Sequence, residues 1–257
     1  MISSSRNPKI KLARALAGRP KERRDAEAFL AEGVRLTEEA FASNWPFRFV
    51  LVSDELSERG KKLVEKLEDK KIDVEKVESK LLQSLSETET SQGIIATLND
   101  SRIPIPESLN FILIPDSIRD PGNLGTLLRT ADAAGVQAVL IPPETTDAFA
   151  PKVVRAGMGA HFRLPMQTIS WNEIKSRVQG MKIFLADMDG QSCWEMDFRQ
   201  PLALIVGGEA EGAGVEARKL ANAFVKIPMV GKTESLNAAV AGSVLMFEVM
   251  RQRNIKL

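Results

Sequence analysis

The residue types in this chain restrict the chemistry that it can perform. It has one histidine, His161, and one cysteine, Cys193, among its 257 residues. We therefore do not expect a zinc site built from Cys and His, or a catalytic triad that depends on histidine. An internal disulfide is not expected either. Any reaction must depend on carboxylates, Arg, Lys, Ser, Asn or backbone groups.

Such residues are concentrated in three polar loops, and the first loop spans 116–130. It follows an apolar run and contains Asn123 and Arg129 after a turn at Pro121-Gly122. Ligands of open α/β sheets bind just beyond the carboxyl ends of strands, which makes this loop a candidate site. The alternative is purely structural, since Asn123 could cap a helix whose Arg129 lies on the surface.

The second loop follows the apolar run 203–206 and is rich in glycine. Gly207 and Gly208 precede Glu209, and paired glycines let a ligand approach the backbone closely. The stretch 212–217 also matches G-x-G-x-x-A, the pattern of a dinucleotide site. Its first glycine lies too far from the strand, and Glu209 would repel a pyrophosphate, so the dinucleotide interpretation is the weaker one.

The third loop follows Ile227-Pro228-Met229 and leads into the last helix of the chain. Ser235 is expected to be the N-cap of that helix, which the pattern places at about 235–253. Gly231-Lys232-Thr233 matches the end of a P-loop, but Ile227 stands where the P-loop requires glycine. A nucleotide triphosphate site is therefore not predicted.

Apolar runs that alternate with helical patterns predict the elements that position these loops. Strands are expected at 48–52, 72–77, 93–98, 111–114, 136–141, 181–186, 202–206 and 224–227, with helices at 58–71, 126–134 and 235–253. This order favours an α/β fold with a largely parallel sheet. Two prolines in 99–109 indicate a linker between a small domain at 1–98 and a larger domain at 110–257.

Composition is that of a globular protein, with 44% hydrophobic and 27% charged residues and a formal net charge of +1. No run of eighteen apolar residues is present, and Met1 to Lys11 lacks the apolar core of a signal peptide. With a single cysteine, these features predict a cytoplasmic protein without a membrane span. A nucleic-acid surface would have to come from local clustering of charge.

Taken together, the three loops resemble the signature motifs of the SpoU/TrmH class of RNA 2'-O-ribose methyltransferases. The resemblance lies in Asn123-x-Gly125 with Arg129, in Gly207-x-Glu209 with Gly212, and in Ile227-Pro228-Met229 followed by Ser235-Leu236-Asn237. The stretches 29–33 and 91–96 are similar to a substrate-binding domain of the ribosomal protein L30e type. The resemblance implies an L30e-like α/β domain before a methyltransferase domain whose parallel sheet is tied in a trefoil knot.

The resemblance also implies a cofactor, S-adenosylmethionine, and a set of site residues. Expected cofactor contacts are Leu185, Ala186, Gly207, Gly208, Ile227, Met229, Ser235 and Leu236. Expected catalytic-site residues are Arg129, Asn123, Glu209, Ser235 and Asn237. Arg129 would stabilise negative charge on the ribose oxygen, because an arginine is a poor base. A homodimer is expected, since the family often supplies this arginine across the subunit interface.

Two features depart from the common family pattern. Ala210 follows Glu209 where glycine is frequent, and the segment 231–234 carries charges, on Lys232 and Glu234, where many members have small residues. Either change could alter the choice of substrate, and neither removes a functional group.

The opening of the chain, residues 1–24, is strongly basic. We refer to it as the basic opening segment; it is either a disordered tail or a contact for RNA phosphates, and the RNA contact is favoured. The expected RNA-binding residues are Arg6, Lys9, Lys11, Arg23, Arg24 and Arg155.

The sequence leaves the substrate open. The L30e-like domain favours ribosomal RNA, 23S rRNA above all, with tRNA as the alternative substrate. A non-catalytic RNA-binding or ribosome-assembly protein with the same fold is a further alternative, and a dinucleotide-dependent oxidoreductase is the least favoured.

Overall fold

The computed structural model describes residues 1–86, 88, 91–209 and 212–253, and the chain divides into two compact units. Unit 1 contains residues 1–101 and 147–162, and unit 2 contains 102–146 and 163–257. The sequence predicted a single change of domain within 99–109. The segment 147–162 lies in the sequence of the second domain but packs with the first, which was not expected.

Unit 1 is built on a four-stranded sheet with the order β1-β4-β2-β3. Its strands are β1 (Ala28–Glu32), β2 (Phe47–Val52), β3 (Val74–Lys76) and β4 (Ile94–Asn99). β4 is antiparallel to both β1 and β2, whereas β3 is parallel to β2. The predicted strands 48–52, 72–77 and 93–98 are confirmed, each to within two residues at either end.

Helices surround this sheet, and two of them occupy the basic opening segment. The helices of unit 1 are α1 (Pro8–Gly18), α2 (Pro20–Ala26), α3 (Val34–Ala42), α4 (Glu58–Asp69), α5 (Ser79–Gln83) and α7 (Pro151–Gly157). α1 buries Ile10, Ala13 and Leu16 in the same apolar core as Phe49 and Leu51 of β2. The basic opening segment is therefore folded, and the alternative of a disordered tail is wrong.

Aromatic packing explains why 147–162 belongs to unit 1. Phe29 of β1 lies 5.0 Å, ring centroid to ring centroid, from Phe149 and 6.4 Å from Phe162. Trp45 approaches Phe162 to 5.3 Å. Because large aromatic side chains bury more apolar area than any others, these contacts tie α7 and its flanking residues to β1.

Unit 2 is built on a six-stranded sheet in which every neighbouring pair is parallel. Its strands, in sheet order, are β10 (Ala223–Lys226), β8 (Lys182–Ser192), β9 (Leu202–Gly207), β5 (Phe111–Asp116), β6 (Ala138–Ile141) and β7 (Met166–Thr168). Its helices are α6 (Pro121–Ala133), α8 (Trp171–Arg177), α9 (Val215–Leu220) and α10 (Ala238–Gln252). The predicted parallel α/β fold is confirmed, while the trefoil knot stays a prediction.

The two helices that carry the site pack tightly against each other and against the sheet. At Gly242 of α10, a Cβ atom would lie 2.5 Å from Leu127 of α6 and 3.1 Å from Val206 of β9. The hydroxyls of Thr130 and Ser243 share a hydrogen bond of 3.0 Å between the same helices. The close approach fixes α6 and α10 in relation to the end of β9.

In the part of the chain that the structure describes, no helix is both long enough and apolar enough to cross a membrane.

Candidate active site

The three motif loops meet at the carboxyl edge of the unit 2 sheet. β5 and β9 are neighbours in parallel register, and their last residues, Asp116 and Gly207, are partners. β8 lies on the other side of β9, with Leu185 opposite Ile205. Parallel strands end at the same edge, so the loops that follow them converge there.

A single amide, that of Asn123, joins all three motifs. Its Nδ2 donates a hydrogen bond to Oε1 of Glu209 in the second loop. Its Oδ1 accepts a hydrogen bond of 3.0 Å from Nδ2 of Asn237 in the third loop. The side chain thus uses both its donor and its acceptor to hold loops that are far apart in sequence.

The helix caps differ from those that the sequence predicted. α6 begins at Pro121, and Oδ1 of Asp120 accepts a hydrogen bond of 2.9 Å from the backbone N–H of Asn123. Asp120 is therefore the N-cap, and the side chain of Asn123 remains free to bridge the loops. Proline favours the first helical position, so the Pro121-Gly122 pair starts the helix instead of preceding it.

The cap of α10 is a second correction. Asn237 is the N-cap, since its Oδ1 accepts hydrogen bonds from the backbone N–H groups of Ala239 at 2.9 Å and Val240 at 3.2 Å. Ser235, the expected cap, lies two residues before it, outside the helix and exposed. Both residue types favour caps, and Asn237 takes the position because its Nδ2 also reaches Asn123.

Arg129 lies on α6, less than two turns after Asn123, and its side chain is exposed. It makes no hydrogen bond or ion pair with any residue that the structure describes. Its charge is therefore not neutralised by a neighbouring carboxylate, which suits a group that stabilises negative charge developing on a substrate oxygen.

The glycine-rich loop is folded closely against the first loop. At Gly208, a Cβ atom would lie 2.3 Å from the carbonyl oxygen of Ser117. At Gly207, it would lie 2.4 Å from the backbone nitrogen of Ala213. Only glycine permits these approaches. Ala210, the departure from the family pattern, lies outside the described residues.

Asp116 is a site residue that the sequence analysis missed. Only 1% of it is exposed. Its Oδ2 accepts a hydrogen bond of 2.7 Å from the N–H of Gly214, and its Oδ1 accepts one of 3.2 Å from the hydroxyl of Ser117. The carboxylate thus holds the glycine-rich loop to the end of β5. The available signal was a carboxylate placed directly at the end of a buried apolar run.

The expected cofactor residues lie on the loops at this edge, with unequal exposure. Leu185 is buried in β8, while Ala186 is half-buried next to it. Asp187 follows and forms a 2.8 Å ion pair with Arg218, whose Nε donates a hydrogen bond of 3.3 Å to the carbonyl of Ala213. This contact connects the end of β8 to the glycine-rich loop.

The third loop contributes exposed apolar groups. Ile227 is half-buried, whereas Met229 and Leu236 are exposed, and so is Ser235. Exposed apolar side chains beside glycine backbone suit a ligand that has an apolar ring system and several hydrogen-bonding groups. The charged stretch 232–234 is also exposed.

The expected RNA-binding residues fall into two groups. Arg6, Lys11 and Arg24 are exposed. Lys9 pairs with Asp73 at 2.5 Å and Glu75 at 2.9 Å, and Arg155 pairs with Glu32 at 3.5 Å.

The structure contradicts the prediction that Arg23 contacts RNA. It is only 5% exposed, its Nε pairs with Asp147 at 2.7 Å, and its Nη1 donates to the carbonyl of Leu16 at 2.5 Å. A guanidinium used in this way cannot reach a phosphate. Its sequence neighbours are basic and exposed, which made Arg23 look equivalent to them.

We predict that Arg23→Met lowers stability instead of RNA affinity. Removing one partner of a buried ion pair costs about 3–5 kcal/mol, because the other charge is left unpaired. The midpoint of urea unfolding should fall, while RNA affinity measured well below that midpoint stays unchanged. Arg24→Met, at the exposed neighbour, is the matched control for stability; equal unfolding midpoints in the two variants would refute the structural role.

His161 has no role at this edge. It is buried in unit 1, where its Nε2 lies 2.7 Å from the carbonyl oxygen of Ala148. Burial lowers the pKa of His161 to about 4, so the ring is neutral at pH 7.

Comparisons with known proteins agree with this geometry. Residues 110–247 match the SpoU rRNA Methylase family, and residues 7–96 match the MRM3-like substrate binding domain. The protein defined by this fold and site is an RNA 2'-O-ribose methyltransferase that uses S-adenosylmethionine. The chain belongs to the SpoU rRNA methylase family, so the predicted family, enzyme class and cofactor are confirmed.

Two characterised relatives match almost the whole chain. The 23S rRNA (guanosine(2553)-2'-O)-methyltransferase RlmP of Bacillus subtilis is 35% identical over 253 residues, covering 96% of this chain and 98% of the relative. The 23S rRNA (uridine(2479)-2'-O)-methyltransferase of Streptomyces viridochromogenes is 32% identical, covering 97% and 92%. The crystal structure of an AdoMet-bound rRNA methyltransferase from Sinorhizobium meliloti superimposes with a TM-score of 0.85 at 28% identity, covering 97% of each chain.

Proposed function

We propose that this chain transfers a methyl group from S-adenosylmethionine to a ribose 2'-hydroxyl in 23S rRNA. The observation that carries the proposal is the Asn123 amide, which joins the three motif loops. Arg129 lies on the same helix, is exposed and forms no ion pair with the described residues. The substrate is argued from the two relatives, both named as 23S rRNA 2'-O-methyltransferases.

When bound, the cofactor would supply an electrophilic methyl group for the ribose 2'-oxygen and would leave as a neutral thioether, while the hydroxyl proton would pass to water. Leu185, Ala186, Gly207, Gly208, Ile227, Met229, Ser235 and Leu236 are proposed to hold it. The close backbone approaches at Gly207 and Gly208 support this assignment, because they hold the glycine-rich loop in one position against the first loop.

Arg129 is proposed to stabilise negative charge on the 2'-oxygen as the proton departs. A guanidinium stays charged at any physiological pH, so it acts by electrostatics and not as a base. Asn123, Glu209 and Asn237 are proposed as positioning residues. Asn123 hydrogen bonds to both of the others and so connects the loops. Ser235 is exposed in the third loop and is proposed to contact the cofactor or the substrate ribose.

We also propose the domain roles and the cellular setting. Residues 1–98 would bind substrate, 99–109 would act as a linker, and 110–257 would carry the trefoil knot and the catalytic site. Arg6, Lys11 and Arg24 are exposed and remain proposed RNA contacts, as do Lys9 and Arg155 in spite of their ion pairs. A cytoplasmic location is proposed together with the rRNA substrate, because ribosomes are assembled there.

A homodimer is proposed through the outer face of α10. Apolar residues recur at helical spacing along this part of the sequence, at Leu236, Val240, Val244, Phe247 and Met250. Of these, Val240 and Phe247 are 47% and 44% exposed. The core-facing side is formed instead by other residues, among them Leu245, Met246 and Val249. An apolar stripe left exposed on a helix indicates an interface.

Replacing Phe247 with glutamate should disrupt this dimer, because a charge in an apolar interface loses its hydration without gaining a partner. The molar mass from size-exclusion chromatography with light scattering should fall to that of a monomer. Phe224→Glu, at an exposed phenylalanine of β10, is the control and should leave the mass unchanged. A Phe247→Glu protein that stays dimeric would place the interface elsewhere.

The proposed function is tested by methyl transfer from radiolabelled S-adenosylmethionine to 23S rRNA, 16S rRNA and total small RNA, each offered separately. Label at a 2'-oxygen of 23S rRNA alone supports the proposal, and label in the small-RNA fraction alone favours the tRNA alternative. No label in any RNA, with the cofactor bound, contradicts the proposal and favours the non-catalytic binding protein.

A further inference from the structure

Basic side chains are segregated towards the start of the chain. The basic opening segment contains eight of the 35 Lys and Arg residues of the chain. It contains only one of the 34 acidic residues, Glu22. The structure uses Lys9 and Arg23 internally, in ion pairs with acids outside the segment. The other basic side chains of the segment are exposed and could bind an anionic ligand.

A groove of about 340 Å³ runs along α1 and the start of α2, lined by Lys11, Arg14, Ala15, Gly18, Arg19 and Glu22. We refer to it as the α1–α2 groove. Lys11, Arg14 and Gly18 recur at helical spacing, so they share one face of α1, and all three are exposed. Arg19 separates α1 from α2 and is also exposed.

The charges in the α1–α2 groove are mostly uncompensated. Lys11 and Arg19 form no ion pair with any residue that the structure describes. Arg14 forms none either, and its Nη2 donates a hydrogen bond of 3.3 Å to the neutral hydroxyl of Ser84, which orients the guanidinium without cancelling its charge. Glu22 is the only acid in the lining, so three cations face one carboxylate.

The spacing of the lining residues along α1 suits a chain of anions better than a compact ligand. With a helical rise of 1.5 Å per residue, Lys11 and Gly18 are about 10 Å apart along α1. Phosphates recur every few ångströms along a nucleic-acid strand, so a groove of this length contacts more than one. At Gly18, nothing lies within 4 Å of the position that a Cβ atom would occupy, so a backbone can approach there closely.

We propose that the α1–α2 groove binds the phosphodiester backbone of the substrate RNA through Lys11, Arg14 and Arg19. This inference rests on the proposed function for the identity of the RNA, and it adds Arg14 and Arg19 of the basic opening segment to the individual RNA contacts expected from the sequence. Since phosphate contacts carry no sequence information, the groove provides affinity and register, whereas the choice of nucleotide is made elsewhere.

The test is the salt dependence of RNA affinity for the triple variant Lys11→Gln, Arg14→Gln, Arg19→Gln. Each phosphate contact contributes about 0.7–0.9 to the slope of log K against log salt, so the slope should fall by about 2–3. Binding of a 23S rRNA transcript is measured by filter retention between about 50 and 200 mM KCl. S-adenosylmethionine affinity and the urea midpoint, both expected to match wild type, show that the variant is folded.

The matched control removes three exposed lysines in the same unit, Lys62→Gln and Lys66→Gln on α4 and Lys70→Gln at its C-terminal cap. These lysines lie among acidic residues such as Glu65 and Glu68, so this part of the chain carries little net positive charge. The control slope should equal that of wild type. A groove variant with a wild-type slope, or a control slope that falls as far, overturns the proposal. Methyl transfer by the wild-type protein is assayed separately, so a failure of the proposed function is not confused with a failure of the groove.

Discussion

Arg129→Ala should lower the rate of methyl transfer by about 10²–10³, the usual loss when one stabilising donor to a developing oxyanion is removed. The affinity for S-adenosylmethionine should stay near that of wild type, because Arg129 lies on α6 and not on the glycine-rich loop. Stability should also be unchanged, since the side chain is exposed and makes no hydrogen bond or ion pair with the described residues.

Single-turnover methyl transfer at saturating cofactor and RNA measures this effect directly. Arg177→Ala, at an exposed arginine of α8 in the same unit, is the matched control and should keep the wild-type rate. Arg129→Lys retains the charge but loses the planar fork of donors, so an intermediate rate is expected. Near-normal turnover in Arg129→Ala would exclude Arg129 from the mechanism. The three-loop site would then have no assigned cation to stabilise charge on the 2'-oxygen.

The sheet of unit 2 was the part of the fold most accessible from sequence. β5, β6 and β9 are continuous apolar runs because strands inside a parallel sheet are buried on both faces. The carboxyl edge of that sheet, and with it the general location of the site, followed from the polar loop after each run.

Helix starts were harder to predict, and both errors fell within the site. In the first loop Pro121-Gly122 was interpreted as a turn, although proline at N1 with Asp120 as the cap begins the helix five residues before the predicted Thr126. In the third loop Ser235 and Asn237 are both good caps by type. Only the contact between Asn237 and Asn123, which are 114 residues apart, decides between them.

Contacts between distant parts of the chain account for the remaining failures. Nothing local to Arg23 indicates that its guanidinium pairs with Asp147, 124 residues later. Likewise, Phe149 and Phe162 have no local pattern that directs them to Phe29. Asp116 is an intermediate case. Its position at the end of β5 could be predicted from the sequence, but its hydrogen bond to Gly214 could not.

Gly208→Ala should weaken S-adenosylmethionine binding and abolish most methyl transfer. The added Cβ would lie 2.3 Å from the carbonyl oxygen of Ser117, which is backbone and cannot rotate away. Ser117 is itself held at a φ of 56°, and its hydroxyl bonds to the buried Asp116, so the first loop has little freedom to move. The glycine-rich loop must shift instead.

Relieving an overpacked contact of this kind costs about 1–3 kcal/mol, which corresponds to a loss of about 5- to 150-fold in cofactor affinity if the cost falls on the binding-competent loop. Isothermal titration with S-adenosylmethionine measures it, and the urea midpoint shows whether the cost falls on the whole fold. Gly231→Ala is the matched control, because nothing lies within 4 Å of a Cβ atom at Gly231. If Gly208→Ala and Gly231→Ala bind the cofactor equally well, the approach of Gly208 to Ser117 does not shape the cofactor site. The contact would then serve only the packing of β9 against β5.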